Sequence, residues 1–124
     1  MNKSNFSSAE DMAILVAECM RFDPFRKVVG TINFETKAIT SPDRKKPTVY
    51  KWTNSNKLLG QLDGIIGCKT GITNAAGPCF AGYYEKDGLK LSLILCHSNT
   101  LEDRWVEIKQ MVEYVICKTN KTAA

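Results

Sequence analysis

Apolar positions along the chain switch between helical and alternating spacing, and the switches mark out its elements. Ala9, Met12, Ala13, Val16 and Met20 recur at helical spacing. Ser7 and Glu10 ahead of them have capping-box spacing, and Glu10 and Asp11 suit the positive end of a helix dipole. Ile14, Leu15 and Ala17 widen the stripe until little of this helix is polar, so it expects cover on more than one side. Asp23-Pro24 opens a short second helix through Val29, with Pro24 suited to the first helical position and Gly30 to the stop. Residues 31–40 alternate Ile32, Phe34 and Thr36 and read as a strand. Residues 41–47 form a loop bracketed by Pro42 and Pro47, and 48–53 are the next strand candidate. Residues 54–57 are a polar loop anchored locally by Leu58, Leu59 and Leu62.

The second half predicts an antiparallel meander of strands at 65–73, 77–86 and 89–97. Asp87-Gly88, flanked by apolar alternation, is the clearest hairpin signal in the chain. Leu89, Leu91, Leu93 and Leu95 then share one face of the last strand, with Lys90, Ser92, Ile94 and Cys96 on the other. A final helix begins near Asn99 or Thr100 as cap and carries Leu101, Trp105, Ile108, Val112 and Val115 at a 3.6 period. That stripe packs most simply on the leucine face, leaving Trp105 in the core, and residues 118–124 read as a polar tail. The expected class is α/β of the α+β type, an antiparallel sheet with flanking helices.

Size and charge narrow the function. A chain of 124 residues suits one domain or part of a larger one. The net charge is +4, and only Arg44-Lys45-Lys46 clusters. Nucleic-acid binding would want a basic stripe or a recognisable motif, and neither is present. No apolar run approaches the roughly 20 residues that span a bilayer. The first residues lack the regions of a signal peptide. The five cysteines include no C-x-x-C pair, and the single His97 has no partner at zinc-ligand spacing, so no metal site is expected. With a two-residue turn at Thr73-Asn74, Cys68 falls directly opposite Cys79. The pair is then either a cross-strand disulfide or two free thiols.

The stretch Gly64-Ile65-Ile66-Gly67-Cys68-Lys69-Thr70-Gly71 places a cation, a hydroxyl and a glycine together on one strand. A glycine inside a strand often marks close approach by a ligand or another backbone. The tripeptide alone also fits a plain edge-strand lysine. Its surroundings add weight: Asn56-Lys57-Leu58-Leu59, Asp63-Gly64 and Cys79-Phe80-Ala81-Gly82, with Ser7-Ser8-Ala9-Glu10-Asp11-Met12-Ala13, Phe25-Arg26-Lys27-Val28-Val29 and Asp103-Arg104 on the flanks. With these, residues 5–117 resemble the serine D-alanyl-D-alanine carboxypeptidases, the low-molecular-mass penicillin-binding proteins related to class A β-lactamases. The resemblance covers only the C-terminal part of that catalytic domain. Of the family's S-x-x-K, S-D-N and K-T-G signatures, only the third occurs here.

That resemblance implies a partial β-lactamase-like penicillin-binding fold, with residues 1–124 as a single, incomplete C-terminal portion. Lys69 would place a point charge near the substrate carboxylate. Thr70 would donate its hydroxyl to that carboxylate, and Gly71 would admit the substrate backbone. The backbone N–H of Ile72 would be one oxyanion donor. No serine in the chain has lysine three places on or asparagine two places on, so the nucleophile and its proton carriers are expected upstream of Met1. The resemblance implies no cofactor, an extracytoplasmic location, and a peptide ending in D-Ala-D-Ala or a β-lactam as ligand once the missing half is supplied. The absent strands would leave residues 89–97 with an unpaired edge, inviting a complementing chain or a homo-oligomer. Rival readings are a catalytically dead interaction subunit and a module that binds a peptide carboxylate without cutting it. His97, with no acid or nucleophile identified beside it, reads as a surface or capping residue, and Asp63 as part of a turn.

Overall fold

A computed structural model describes residues 5–38 and 47–122. Its elements are α1 (Ala9–Cys19), α2 (Asp23–Gly30), β1 (Asn33–Ala38), β2 (Thr48–Thr53), β3 (Ile65–Thr73), β4 (Gly77–Lys86), β5 (Leu89–Leu95) and α3 (Asp103–Thr122). β1 and β2 form an antiparallel ribbon, and β3, β4 and β5 form an antiparallel sheet in that order. Most of the loop expected at 41–47, with its basic cluster, lies outside the described residues.

The α+β expectation holds, and the details differ at element ends. α1 is capped by Ser8, not Ser7. The Ser8 hydroxyl oxygen accepts from the Asp11 amide at 3.1 Å and donates to the Asp11 carboxylate at 2.9 Å, so the cap sits one residue along from the Ser7-Glu10 spacing. Val16 and Met20 are buried, but Ile14 and Leu15 are 60% and 52% exposed, so the broad stripe is covered on one side only. α2 begins at Asp23 with Pro24 in its first turn, as expected. Thr100 caps α3 through its hydroxyl oxygen, which accepts from the Asp103 amide at 3.0 Å. The helix then continues through the presumed polar tail to Thr122. No glycine or proline lies between Cys117 and Thr122 to stop it.

The core lies between the sheet and α3. Trp105, Ile108 and Val112 pack on Phe80, Tyr84, Leu93, Ile65 and Leu58, with Leu89, Leu91 and Leu95 at the margin. The leucine face and the α3 stripe therefore meet as the sequence predicts. Phe80 and Trp105 touch edge to face at 5.9 Å. On the opposite face α1 crosses β4 and β5, and α2 lies along β3. Arg26 of α2 bonds Glu85 of β4 at 2.6 Å and ties that layer to the sheet. Asp87 and Gly88 both take positive φ, 51° and 79°, as a two-residue turn between β4 and β5 requires.

The β3–β4 loop follows the strand bounds 65–73 and 77–86. Thr73 pairs with Gly77, so the loop holds three residues, Asn74, Ala75 and Ala76, and is not the two-residue turn at Thr73-Asn74 that would set Cys68 opposite Cys79. The Thr73 hydroxyl oxygen accepts from the Ala76 amide at 3.0 Å, and Gly77 closes the loop at φ 63°. A turn ending in a residue of positive φ is the favoured geometry for a three-residue hairpin, and glycine takes that position without strain. The longer loop shifts the register. Cys68 faces Gly82 and Cys79 faces Gly71, so no Cys68–Cys79 bridge forms, and all five cysteines are free thiols.

Candidate functional site

β3 sits at an edge of its sheet, and the K-T-G residues occupy its second half. Lys69 pairs with Ala81, Thr70 with Phe80, Gly71 with Cys79 and Ile72 with Pro78. Side chains alternate across a strand. Lys69 and Gly71 therefore lie on the face of Ala81 and Cys79, while Thr70 lies on the Phe80 face. A cleft of about 600 Å³ runs along this part of the sheet, bordered by Lys69, Thr70, Gly71, Cys79, Ile94 and His97 and closed by the segment leading into α1. Lys69 is exposed and Thr70 buried.

The outer edge of β3 presents main-chain groups. The Pro78 carbonyl accepts from the Ser98 amide at 2.9 Å, so it faces away from β3. Pro78 has no N–H to give β3 either. The Ile72–Pro78 pair is thus unbridged, and ladder alternation turns the Ile72 amide to the open edge. By the same alternation the Thr70 carbonyl faces outward, and the Lys69 ammonium folds over to donate to it. Ile72 itself is 59% exposed.

Polar partners fix the inner side of the strand. The Thr70 hydroxyl lies 2.6 Å from the Ser55 hydroxyl, in the loop after β2. Arg104, in the first turn of α3 and buried, donates from Nη1 to the carbonyls of Cys79 at 3.1 Å and Gly71 at 3.4 Å. Its guanidinium stacks on the Trp105 ring at 4.3 Å. Burial lowers the Arg104 pKa from its ordinary value, with Cys79 and Glu102 opposing the shift. No carboxylate among the described residues is bonded to Lys69. Its ammonium has the Thr70 carbonyl as partner.

Other candidates separate from this cluster. Cys68 lies apart from Cys79 with its thiol 3.7 Å from Met20 Sδ, and burial, aided by Cys19, pushes its pKa up to about 11. Asp63 sits in the turn before β3, bonds Lys86 at 2.7 Å and has its pKa lowered by that partner. Trp105 is core. His97 borders the cleft, with its ring over Gly77. Among the described residues no group of His, Cys, Asp and Glu could hold a metal ion, and no helix is long and apolar enough to cross a membrane. Sequence reasoning singled out neither Ser55 nor Arg104 as a site residue. Arg104 carried a readable signal, a charge beside a core tryptophan; Ser55 carried none beyond its place between two asparagines.

Residues 1–100 match the family model described as D-alanyl-D-alanine carboxypeptidase. The chain belongs to the D-alanyl-D-alanine carboxypeptidase family. The carboxypeptidase DacF of Bacillus subtilis is 25% identical over 130 residues, covering 98% of this chain and 32% of the relative. The D-alanyl-D-alanine carboxypeptidase of Streptomyces sp. strain K15 is 26% identical over 113 residues, covering 91% of this chain and 38% of the relative. The crystal structure of the Streptomyces K15 DD-transpeptidase superposes with a TM-score of 0.85 at 25% identity, covering 94% of this chain and 44% of that one. The fold is that of the penicillin-binding DD-transpeptidases. The chain spans about a third of the length of these curated carboxypeptidases.

Proposed function

We propose that the chain forms the carboxylate-gripping wall of a serine D-Ala-D-Ala carboxypeptidase. An extended peptide lies along the outer edge of β3, bonded to its main chain by strand addition. The Lys69 ammonium leaves the Thr70 carbonyl for the terminal carboxylate. Thr70 donates its hydroxyl to the same group, Gly71 admits the backbone, and the Ile72 amide meets the oxyanion. The observation that carries this reading is the K-T-G run on an unpaired strand edge beside an open cleft, in a chain that matches the family over residues 1–100.

The chemistry that follows needs a serine this wall does not supply. In acyl transfer a serine oxygen attacks the peptide carbonyl, the C–N bond breaks, the terminal D-alanine leaves with a proton, and water then frees the acyl group. With neither S-x-x-K nor S-x-N in the 124 residues, the chain by itself holds substrate without cutting it. The edge of β5 is where a strand of a complementing polypeptide would pair, since the β3 edge is the one that takes the peptide. A fluorescent penicillin tests the whole reading. It should label a mixture of this chain with the upstream remainder of a family domain, on the added serine, and leave the isolated chain unlabelled. Stoichiometric labelling of the isolated chain would refute the assignment.

The alternative, a peptide-carboxylate binder or interaction subunit with no catalytic future, is separated by calorimetry with a D-Ala-D-Ala peptide. Lys69→Ala and Thr70→Ala should each weaken binding. Binding by none of the three proteins would leave the interaction subunit.

A further inference from the structure

We infer that Ser55 is a positioning residue that sets the proton direction of the Thr70 hydroxyl, an inference resting on the carboxylate-wall reading above. Two hydroxyls 2.6 Å apart share a single proton between them. Each hydroxyl has one proton to donate and two lone pairs to accept with. If Thr70 donates to Ser55, it has nothing left for an anion. If Ser55 donates, Thr70 is polarised and its own proton is free to bond a carboxylate. An arriving anion selects the second arrangement, and hydrogen bonds in such a chain strengthen one another.

The loop is built to hold Ser55 in place. Asn54 donates from its side chain to the carbonyls of Val29 at 3.1 Å and Thr31 at 3.0 Å. Its amide oxygen accepts from the Asn56 amide at 3.0 Å, and the Asn56 side-chain oxygen accepts from the Leu58 amide at 3.0 Å. The backbone on both sides of Ser55 is therefore locked by its asparagine neighbours, and the hydroxyl stays aimed at Thr70 with little entropy left to lose. Thr70 is buried, so solvent is a poor substitute for Ser55 as donor.

The test compares a blocked D-Ala-D-Ala dipeptide with its C-terminal amide, each titrated into the 124-residue chain and followed by NMR shifts of residues 69–72. The native chain should prefer the carboxylate. Ser55→Ala should cut that preference by roughly five- to tenfold, the worth of one hydrogen bond between neutral groups, while affinity for the amide stays unchanged. Ser55→Thr, which keeps the hydroxyl, should restore it. An unchanged preference in Ser55→Ala overturns the inference and leaves the wall reading standing. Loss in both variants also overturns it, since loop shape and not the hydroxyl would then be at work. No preference in the native chain removes the wall reading and this inference with it.

Discussion

A Cβ built on Gly71 meets nothing within 4 Å, so this glycine is not required by the packing of its own fold. In the carboxylate-wall reading, its lack of a side chain serves the bound peptide. Gly71→Ala should leave the fold intact and stabilise it by about 0.4–1 kcal/mol through the unfolded state, as alanine does where it fits. The same change should weaken D-Ala-D-Ala peptide binding roughly tenfold or more, about 1.4 kcal/mol. Thermal unfolding and calorimetry on one variant read both effects, and a loss of stability would place the need for glycine inside the fold. At this scale Lys69, Thr70 and Gly71 were legible because a short motif names its own residues. Whether Cys68 faces Cys79 was not, because cross-strand partners depend on where a turn begins and how long it is. A loop that starts one residue later and is one residue longer moves every partner by three, and Thr73 gave no sign that its hydroxyl would fold back on Ala76.

Elements were the most readable level, since period 2 and period 3.6 are both written in the apolar positions. The three strands of the main sheet and the α3 stripe follow from those periods alone. What escaped were ends: Ser8 competes with Ser7 as cap, and α3 runs on through polar residues with nothing to stop it. The packing of α3 gives a direct prediction. Ile108 is fully buried against the sheet, so Ile108→Ala should cost about 2–5 kcal/mol, measured by urea unfolding. Arg26 and Lys90 both bond Glu85 and hold its pKa below the ordinary value of 4.5. A carboxyl lowered in the folded state stabilises the fold above its unfolded pKa, and the gain disappears as pH falls through the folded value. Stability of the native chain should therefore drop as pH falls below about 4.5, and Glu85→Gln should flatten that slope in pH-dependent melts. Equal slopes would mean the pair between α2 and β4 adds nothing.

For the molecule as a whole, the exposed apolar side chains are unusually many. Ile14, Leu15, Phe22, Val28, Phe34 and Trp52 all stand in solvent, far more large apolar surface than scattered single residues account for. The chain spans about a third of its curated relatives, and the unpaired edges of β3 and β5 bound the same incomplete sheet. Replacing Ile14 and Leu15 by Glu and Lys should raise the solubility of the isolated chain without lowering its melting temperature, as read by light scattering and thermal unfolding. A large fall in melting temperature would mean that this face of α1 is already packed. The partial nature of the fold was legible from a motif inventory, one signature present and two absent. The extent of open surface was not, because a broad apolar stripe looks the same in sequence whether or not its neighbour is there.

Arg104 belongs to α3 by sequence and to the K-T-G strand by contact. Its guanidinium ends on one carbonyl from each of two adjacent strands, so the last helix and the K-T-G strand share a single rivet. A tilt at the start of that helix acts on the carbonyls of Cys79 and Gly71 together, which makes the far side of the sheet a handle on the cleft.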